Sequence, residues 1–421
     1  MNQSFQHPAG ALRTWYVTPP VASASPTGMS IVKSYDELTY SWSAHTSTMV
    51  AKKGYQVVPA AAANDISFTG TLNNGNQNIS LISRTGIDNK AGFNLIGNPY
   101  PSYLDWSLIT IPSNTAVMRS TSMWYRTKKL NQSSQLVYQF WTVNGDGLTS
   151  PNGASPKIPP MQAFWVRANS GGGTLALTNS MRSHAPDTDK LLKAPAAKNT
   201  EMTLVRLQVS NGTNTDEAVI YFSENAQNDF DKLDAPKMSN DNVAIPEIYT
   251  TLGTEQFVIN GMNTIPLDTP IGLGFEAGNA SAFSLTANEI SNLPNGVKVI
   301  LKDNVTKAET DLTDGVSTYQ FSPLVTSSDR FSVIFRTKGT VNGLENMQDN
   351  SILVYNNAPQ QLTVICNDML NVGSMVSVYN AIGQKLMSQQ LTGTIMKIGG
   401  TFTPGVYVVK VNNTTKKVII N

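Results

Sequence analysis

Alternation of apolar and polar residues in short segments constrains the fold of this chain more than any other feature. The pattern is clear at residues 54–58, 202–209 and 405–411, and such segments are separated by stretches rich in Gly, Pro, Asn and Ser. A period of two residues, with many β-branched and aromatic side chains, is typical of β-strands, and no stretch sustains a helical period. We therefore predict an all-β chain.

Two polar stretches without this alternation divide the chain. Residues 188–200 are rich in Ala, Pro and Lys, and residues 339–350 hold several Gly and Asn. Stretches of this composition are typical linkers, and 421 residues exceed one ordinary core. We predict a multi-domain β-sandwich protein with jelly-roll or Ig-like modules. Its parts are an aromatic-rich sandwich or barrel at 1–187, a second sandwich at 201–338 and an Ig-like Greek-key sandwich at 351–421.

Charge and cysteine content exclude several classes of function. Charged residues make up 14% of the chain and the net charge is +1, so no broad basic surface is available for nucleic acid. Cys366 is the single cysteine, which excludes intrachain disulfides and multi-cysteine zinc sites. No apolar run is long enough for a transmembrane helix. The first residues lack the features of a signal peptide, and we expect that one was removed if the protein is exported.

No residue pattern typical of catalysis is found. The sequence contains no nucleophile elbow, no paired-histidine zinc motif and no phosphate-binding loop, and it singles out no pair of carboxylates for glycoside hydrolysis. Residues 144–147 and the trio Asp229, Asp231 and Asp234 offer oxygen ligands, but without the spacing of an EF-hand. We predict that the protein is not an enzyme and needs no cofactor or metal, with Ca²⁺ as the one ion left open.

Aromatic residues are the main candidates for ligand contacts. All six tryptophans lie within the first 165 residues, where they either stack on sugar rings or fill the core of a loop-rich sandwich. Trp165 lies in an alternating strand and is predicted to be core. Prolines flank Tyr100, so this stretch is either a rigid ligand platform or a corner packed beside a short helix capped by Asp105. The candidate ligand-binding residues are Tyr100, Tyr103, Trp124, Tyr125 and Trp141.

Three motifs follow one another in the last module. They lie at residues 376–385 (VSVYNAIGQK), 402–410 (FTPGVYVVK) and 416–420 (KKVII). In combination they resemble the C-terminal type A sorting domain carried by cargo of the Bacteroidetes type IX secretion system. One departure is at residues 355–359 (YNNAP), where that family usually has Tyr-Pro-Asn-Pro. The residues that carry the sorting motif are Tyr379, Gly383, Gly405, Tyr407, Lys416 and Lys417.

The resemblance implies location and architecture. It implies a secreted or cell-surface protein with a structural or adhesive role, whose last module interacts with the secretion machinery of the outer membrane and serves export and surface attachment. Residues 92–106 and 158–166 look like regions that precede this domain in large surface proteins. Two alternatives remain: a carbohydrate-binding protein that uses the aromatics of the first domain, and the C-terminal part of a secreted enzyme. Besides the secretion machinery, the expected partner is a host or environmental glycan or protein.

Overall fold

The protein folds into two compact units, Met1–Lys338 and Gly339–Asn421, which we call the large unit and the C-terminal unit. The computed structural model describes residues 2–4, 14–25, 27–60, 65–84, 91–184, 202–240, 242–323, 327–337, 352–358, 361–366, 373–393, 395–400, 402–412 and 414–420. Nearly all of the regular structure in these residues is β-strand, which confirms the predicted all-β class. None of the helices in this part of the chain is long and apolar enough to cross a membrane.

The first half of the large unit is built from short strands and single helical turns. The helices are α1 Trp106–Ile109, α2 Pro112–Thr115 and a 3₁₀ turn at Asn179–Met181. The strands are β1 Asn2–Ser4, β2 Trp15–Val17, β3 Ser23–Ala24, β4 Met29–Asp36, β5 Ser41–Ala44, β6 Met49–Val50, β7 Tyr55–Pro59, β8 Asp65–Ser67, β9 Gln77–Leu81, β10 Phe93–Gly97, β11 Tyr103–Asp105, β12 Met118–Leu130, β13 Leu136–Val143, β14 Thr149–Ser150, β15 Lys157–Ile158, β16 Ala163–Ala168, β17 Gly173–Leu177 and β18 Arg182–Ser183.

Two sheets of this half position the candidate site. A five-stranded sheet has the order β10-β16-β12-β13-β14, and a four-stranded sheet has the order β2-β7-β4-β5. The five-stranded sheet packs on a core that contains Trp106 and Phe164, whose rings meet edge to face at 6.0 Å. Smaller sheets, β1-β8, β3-β6, β17-β9 and β15-β11-β18, complete this half.

The second half of the large unit is one continuous sheet. Its strands are β19 Thr203–Ser210, β20 Thr215–Phe222, β21 Ala235–Pro236, β22 Glu247–Leu252, β23 Glu255–Met262, β24 Ile271–Glu276, β25 Phe283–Ser291, β26 Val297–Asp303, β27 Glu309–Asp311, β28 Thr318–Phe321 and β29 Ser327–Thr337. They pair in the order β27-β26-β29-β24-β22-β23-β20-β19-β25-β28, with β21 added beside β23. Side chains from distant strands of this sheet, such as Leu207 and Val299, share one core, so the sheet folds over on itself.

Each half has a core of its own, and the two halves share a further buried cluster. Trp124 and Trp165 of the five-stranded sheet belong to the same buried cluster as Val219 and Tyr221 of β20. Strand β20 is therefore buried on both faces, as strands covered by two layers are. The structure merges the predicted domains 1–187 and 201–338 into one compact unit, because the outer face of the folded sheet is apolar and packs on the five-stranded sheet.

The C-terminal unit is a sandwich of three strands on four. Its strands are β30 Ile352–Ala358, β31 Gln361–Cys366, β32 Met375–Asn380, β33 Lys385–Gln390, β34 Ile395–Gly399, β35 Gly405–Val411 and β36 Thr414–Ile420. The sheets have the orders β30-β31-β34 and β33-β32-β35-β36, so the chain crosses between sheets in Greek-key fashion. The sequence pattern predicted every strand except β34. Alternation along these strands predicts inward-facing side chains at Leu353, Val364, Val378, Tyr407, Val409 and Ile419. Val364, Val378, Tyr407 and Val409 are buried, whereas the side chains of Leu353 and Ile419 lie outside the described residues.

Candidate functional site

Four of the five predicted ligand-binding aromatics are buried, so that prediction was wrong for them. Tyr100 and Trp124 are 0% exposed, and Tyr125 and Trp141 are also in the interior. Tyr103 is half-buried in β11. These rings fill the core of the first half, in agreement with the alternative interpretation of the tryptophans.

Hydrogen bonds inside the protein explain why these polar aromatics tolerate burial. The Tyr100 hydroxyl donates to the carbonyls of Gly75 (2.7 Å) and Leu177 (3.1 Å), and the Trp124 indole donates to the Pro236 carbonyl (3.0 Å). Asp105 caps α1 by accepting from the Ser107 amide (3.1 Å), as predicted. The stretch around Tyr100 is therefore a structural corner and not a ligand platform.

A different set of aromatics lines an open cleft of about 380 Å³ in the large unit. Three sheets contribute: the four-stranded sheet, the five-stranded sheet and the long sheet of the second half. The long sheet contributes through β23 and the segment that follows β21. The lining residues are Tyr16, Tyr35, Tyr40, Trp42, Phe93, Phe140, Trp165, Lys237, Met238, Ser239 and Gln256. We call this the aromatic cleft.

The rings of the aromatic cleft form a continuous wall. Tyr35 and Trp42 are directly opposite each other in the β4–β5 hairpin, with ring centroids 5.4 Å apart. Tyr16 stacks on Trp42 at 6.1 Å, and Trp165 meets Tyr35 edge to face at 4.8 Å. These separations leave no space for a ligand between the rings, so a ligand can only lie against them. The arrangement is a stacking surface and not a cage for a cation.

Glu37 fixes the hairpin that carries this wall. Its buried carboxylate accepts from the amides of Gly92 (2.7 Å) and Arg84 (2.6 Å), and the Arg84 guanidinium lies 4.9 Å from the centre of the Tyr40 ring. Tyr40 has a φ of 51°, a left-handed backbone that residues other than Gly, Asn and Asp seldom adopt. Strained positions that surrounding contacts hold in place are common at functional sites.

The chemistry of the aromatic cleft is that of neutral polar groups around flat apolar surfaces. Burial raises the pKa of the Tyr35 hydroxyl well above its ordinary value, so it stays neutral. Lys237 is paired with Asp216, which offsets its charge. Ser239 and Gln256 add an exposed hydroxyl and a half-buried amide. The Trp165 indole nitrogen is buried without a hydrogen-bond partner among the described residues.

The matched region of the chain covers both halves that build this cleft. A family model described as a domain of unknown function (DUF8693) matches residues 21–335, well over half of the chain. The chain belongs to this family. The DUF8693 match runs through both predicted sandwiches and ends in β29, in agreement with one compact unit. No curated protein and no solved structure was found to match the chain.

A signal for this site was present in the sequence. Tyr35 and Trp42 stand at equal distances from a polar turn, and residues so placed face each other across a hairpin. The symmetry of the hairpin, and not the sequence next to each ring, is the signal that identifies this pair. No local pattern brings Phe93, Phe140 and Trp165 to the same wall, since they come from three separate strands.

The two acidic stretches considered for Ca²⁺ come together in the fold, but their carboxylates accept hydrogen bonds from backbone amides and a tyrosine hydroxyl. Asp234 accepts from the amides of Gly261 (2.8 Å) and Asp231 (2.9 Å), and Asp146 accepts from the Tyr221 hydroxyl (3.1 Å). In the described part of the chain, no group of three or more His, Cys, Asp or Glu is arranged to hold a metal. That the protein needs no cofactor or metal stays a prediction.

Burial of Asp234 gives the large unit a stability that depends on pH. Burial raises the pKa of Asp234 to about 7, so the folded state holds a proton that the unfolded state releases near pH 4. The stabilisation is fully present below about pH 4 and is lost as pH rises through 7. We expect the urea midpoint to fall over this range and the fall to be smaller in Asp234→Asn. Exposed Asp229, in the same loop, provides the control Asp229→Asn, which should keep the wild-type dependence.

The sorting-motif residues occupy the sheet β33-β32-β35-β36. Gly383 has a φ of 83° in the turn between β32 and β33, as expected for a tight hairpin, and Gly405 begins β35. The Tyr407 hydroxyl donates to the Thr403 carbonyl (2.7 Å). Tyr379 is half-buried. On β36, Lys417 is exposed and Lys416 is half-buried.

Proposed function

We propose that this chain is a non-catalytic protein of the bacterial cell exterior with an adhesive role, in which the aromatic cleft binds a carbohydrate. The C-terminal unit serves in export and surface attachment. The observation that carries the binding role is the open aromatic cleft, in which Tyr35 and Trp42 are half-buried. Tyr16 and Trp165 pack behind them in the interior.

The chemistry of the cleft favours a sugar over other small ligands. A pyranose presents a flat apolar face for Trp42, while its hydroxyls exchange hydrogen bonds with neutral groups such as Tyr35 and Gln256. A quaternary ammonium ligand needs rings that surround it, which rings in mutual contact do not provide. A highly charged ligand would meet Lys237 only after displacing its partner Asp216.

The role in export is supported by the sequence resemblance and by the architecture of the C-terminal unit. This unit has its own buried core, which includes Leu362, Val378 and Val409. A module with its own core can be recognised without help from the rest of the chain. The resemblance to the type IX sorting domain supports delivery to the outer surface through the secretion machinery of the outer membrane.

Trp42→Ala should weaken carbohydrate binding about tenfold or more, since the loss of one stacked aromatic costs about 1.5 kcal/mol. The measurement is binding of the full chain to an array of neutral and acidic oligosaccharides, followed by titration of the best ligand. Leu38→Ala changes an exposed residue of the same hairpin that does not line the cleft, and it should bind like wild type. Absence of oligosaccharide binding, or equal affinity of Trp42→Ala and wild type, would contradict the proposed role of the cleft.

A further inference from the structure

A lysine and an aspartate are in contact in the interior beside the aromatic cleft, and a buried glutamate lies close enough to act on the lysine electrostatically. Asp216 lies in β20, Lys237 directly follows β21, and Glu247 begins β22. The Lys237 ammonium contacts Oδ2 of Asp216, and the two side chains are 3% and 8% exposed. Glu247 is 4% exposed and accepts from the Asn240 amide through Oε1. Its other oxygen, Oε2, is buried without a hydrogen-bond partner among the described residues.

Backbone contacts hold the reacting groups in place. Oδ2 of Asp216 also accepts from the Ile248 amide (2.9 Å), and the Lys237 amide donates to the Gln256 carbonyl (2.8 Å). The amine and the carboxyl are thus anchored on separate segments of one sheet. Fixed reacting groups in contact replace a bimolecular encounter with an intramolecular one, which can raise effective concentration by many orders of magnitude.

We propose that Lys237 and Asp216 form an intramolecular isopeptide bond. The neutral amine Nζ attacks Cγ of the Asp216 carboxyl, a C–N bond forms, and the C–O bond to the departing hydroxyl breaks. Two protons leave the lysine nitrogen, one from the ammonium before the attack and one from the tetrahedral intermediate. Glu247 accepts each in turn and passes it to the departing oxygen, which leaves as water. An ammonium and a carboxylate thereby become one amide and one water molecule, so that no oxidant, cofactor or other reactant is required.

The electrostatics of the interior support this assignment of roles. Burial pushes the pKa of Lys237 down, but Asp216, Glu247 and Glu276 together hold it above its ordinary value, so the resting pair is ionised. Burial raises the pKa of Glu247 to about 7, well above that of an ordinary carboxyl, which makes it a better proton acceptor. Because only a neutral amine can attack a carboxyl carbon, the reactive species is the minor one in which Glu247 has accepted the lysine proton.

The surroundings also favour the amide over the ion pair. A buried ion pair bears a desolvation cost that a neutral amide largely avoids. A pocket of about 10 Å³, the size of one water, is lined by Asp216 and Lys237 together with Asn240 and Thr142. It offers a place for the departing water.

A second lysine–aspartate contact in the same protein serves as an internal control. Lys157 contacts Asp105, but its side chain is 30% exposed, and Asp105 also accepts from the Ser107 amide and hydroxyl as the cap of α1. Contact with solvent stabilises the ions of this pair, so that conversion to an amide relieves little desolvation cost. We expect no bond between Lys157 and Asp105.

Intact mass spectrometry of the denatured full chain tests the proposal. Wild type should be lighter than its sequence by one water molecule, while Lys237→Arg and Asp216→Ala should have the masses of their sequences. A tryptic digest of wild type should contain a branched peptide that joins residues 216 and 237 and lacks cleavage after Lys237. No branched peptide should join residues 105 and 157. A wild-type mass equal to the sequence after long incubation of the folded chain would overturn the proposal and leave an ordinary buried ion pair.

Two further variants test the roles of the groups. Asp216→Asn should condense with loss of ammonia and give the same cross-linked product as wild type. Glu247→Gln should fold, as judged by tryptophan fluorescence, but remain uncross-linked. Efficient cross-linking in Glu247→Gln would overturn the proton-transfer role of Glu247. If this variant does not fold, the wild-type mass and the branched peptide still decide whether the bond exists.

Discussion

Asp303→Ala is expected to lower the free energy of unfolding of the large unit by about 3–5 kcal/mol, a large fraction of the total stability of a typical domain. Asp303 ends β26 and pairs with Arg330 of β29 at 3.3 Å, and the two side chains are 0% and 1% exposed. The Tyr319 hydroxyl also donates to this carboxylate (2.9 Å). Its removal leaves a buried guanidinium without this counter-charge, which costs far more than the loss of one exposed contact.

Urea unfolding followed by tryptophan fluorescence measures this change, because all six tryptophans belong to the large unit. Lys298→Ala is the matched control: it breaks the exposed pair of Lys298 with Asp311, whose side chains are 44% and 41% exposed, and should cost less than about 1 kcal/mol. Similar midpoints for Asp303→Ala and Lys298→Ala would show that the buried pair does not stabilise the sheet.

The same carboxylate predicts a loss of stability in acid. Burial alone would raise the pKa of Asp303, but the amides of Val305 and Thr306, the Tyr319 hydroxyl and Arg330 hold it below its ordinary value. Its stabilisation is therefore complete above the ordinary carboxyl range and is lost as pH falls through the lower folded value. Asp303→Ala should lack this part of the acid dependence.

Deletion of residues 346–421 is expected to abolish delivery to the cell surface and to leave the rest of the chain folded. If the C-terminal unit is a sorting signal, the truncated protein should accumulate inside the cell envelope of the native host. The large unit has its own cores and should keep its melting transition. Cell fractionation and a melting curve by tryptophan fluorescence separate the two effects.

The full-length chain is the control for delivery, and Lys416→Ala/Lys417→Ala tests whether positive charge on β36 is recognised. This double variant removes one exposed and one half-buried lysine from a strand whose buried residues, Val418 and Ile420, are kept. Surface delivery of the truncated protein would refute the sorting role. Collapse of the melting transition on truncation would show that the C-terminal unit is needed for stability instead.

Features of this protein that depend on neighbours along the chain followed from the sequence. Alternation placed Val364, Val378 and Val409 on the inner faces of the C-terminal sandwich, because side chains of a strand point to alternate sides. Gly383 marked a hairpin turn that requires a positive φ. Asp105 marked the start of a helix, since its carboxylate satisfies an amide that the first turn leaves free.

Features that depend on what packs against the second face of a sheet came only from the tertiary structure. Strand β20 was predicted to lie in a separate sandwich, yet it is buried on both faces because the five-stranded sheet covers its outer side. For the same reason Trp124 is interior while Trp42, on a short hairpin, lines an open cleft. Asp216, Lys237 and Glu247 meet only because β20, β21 and β22 lie in one sheet. Local pattern determined which residues form strands; the long-range packing of those strands decided which side chains were left to meet a ligand or each other.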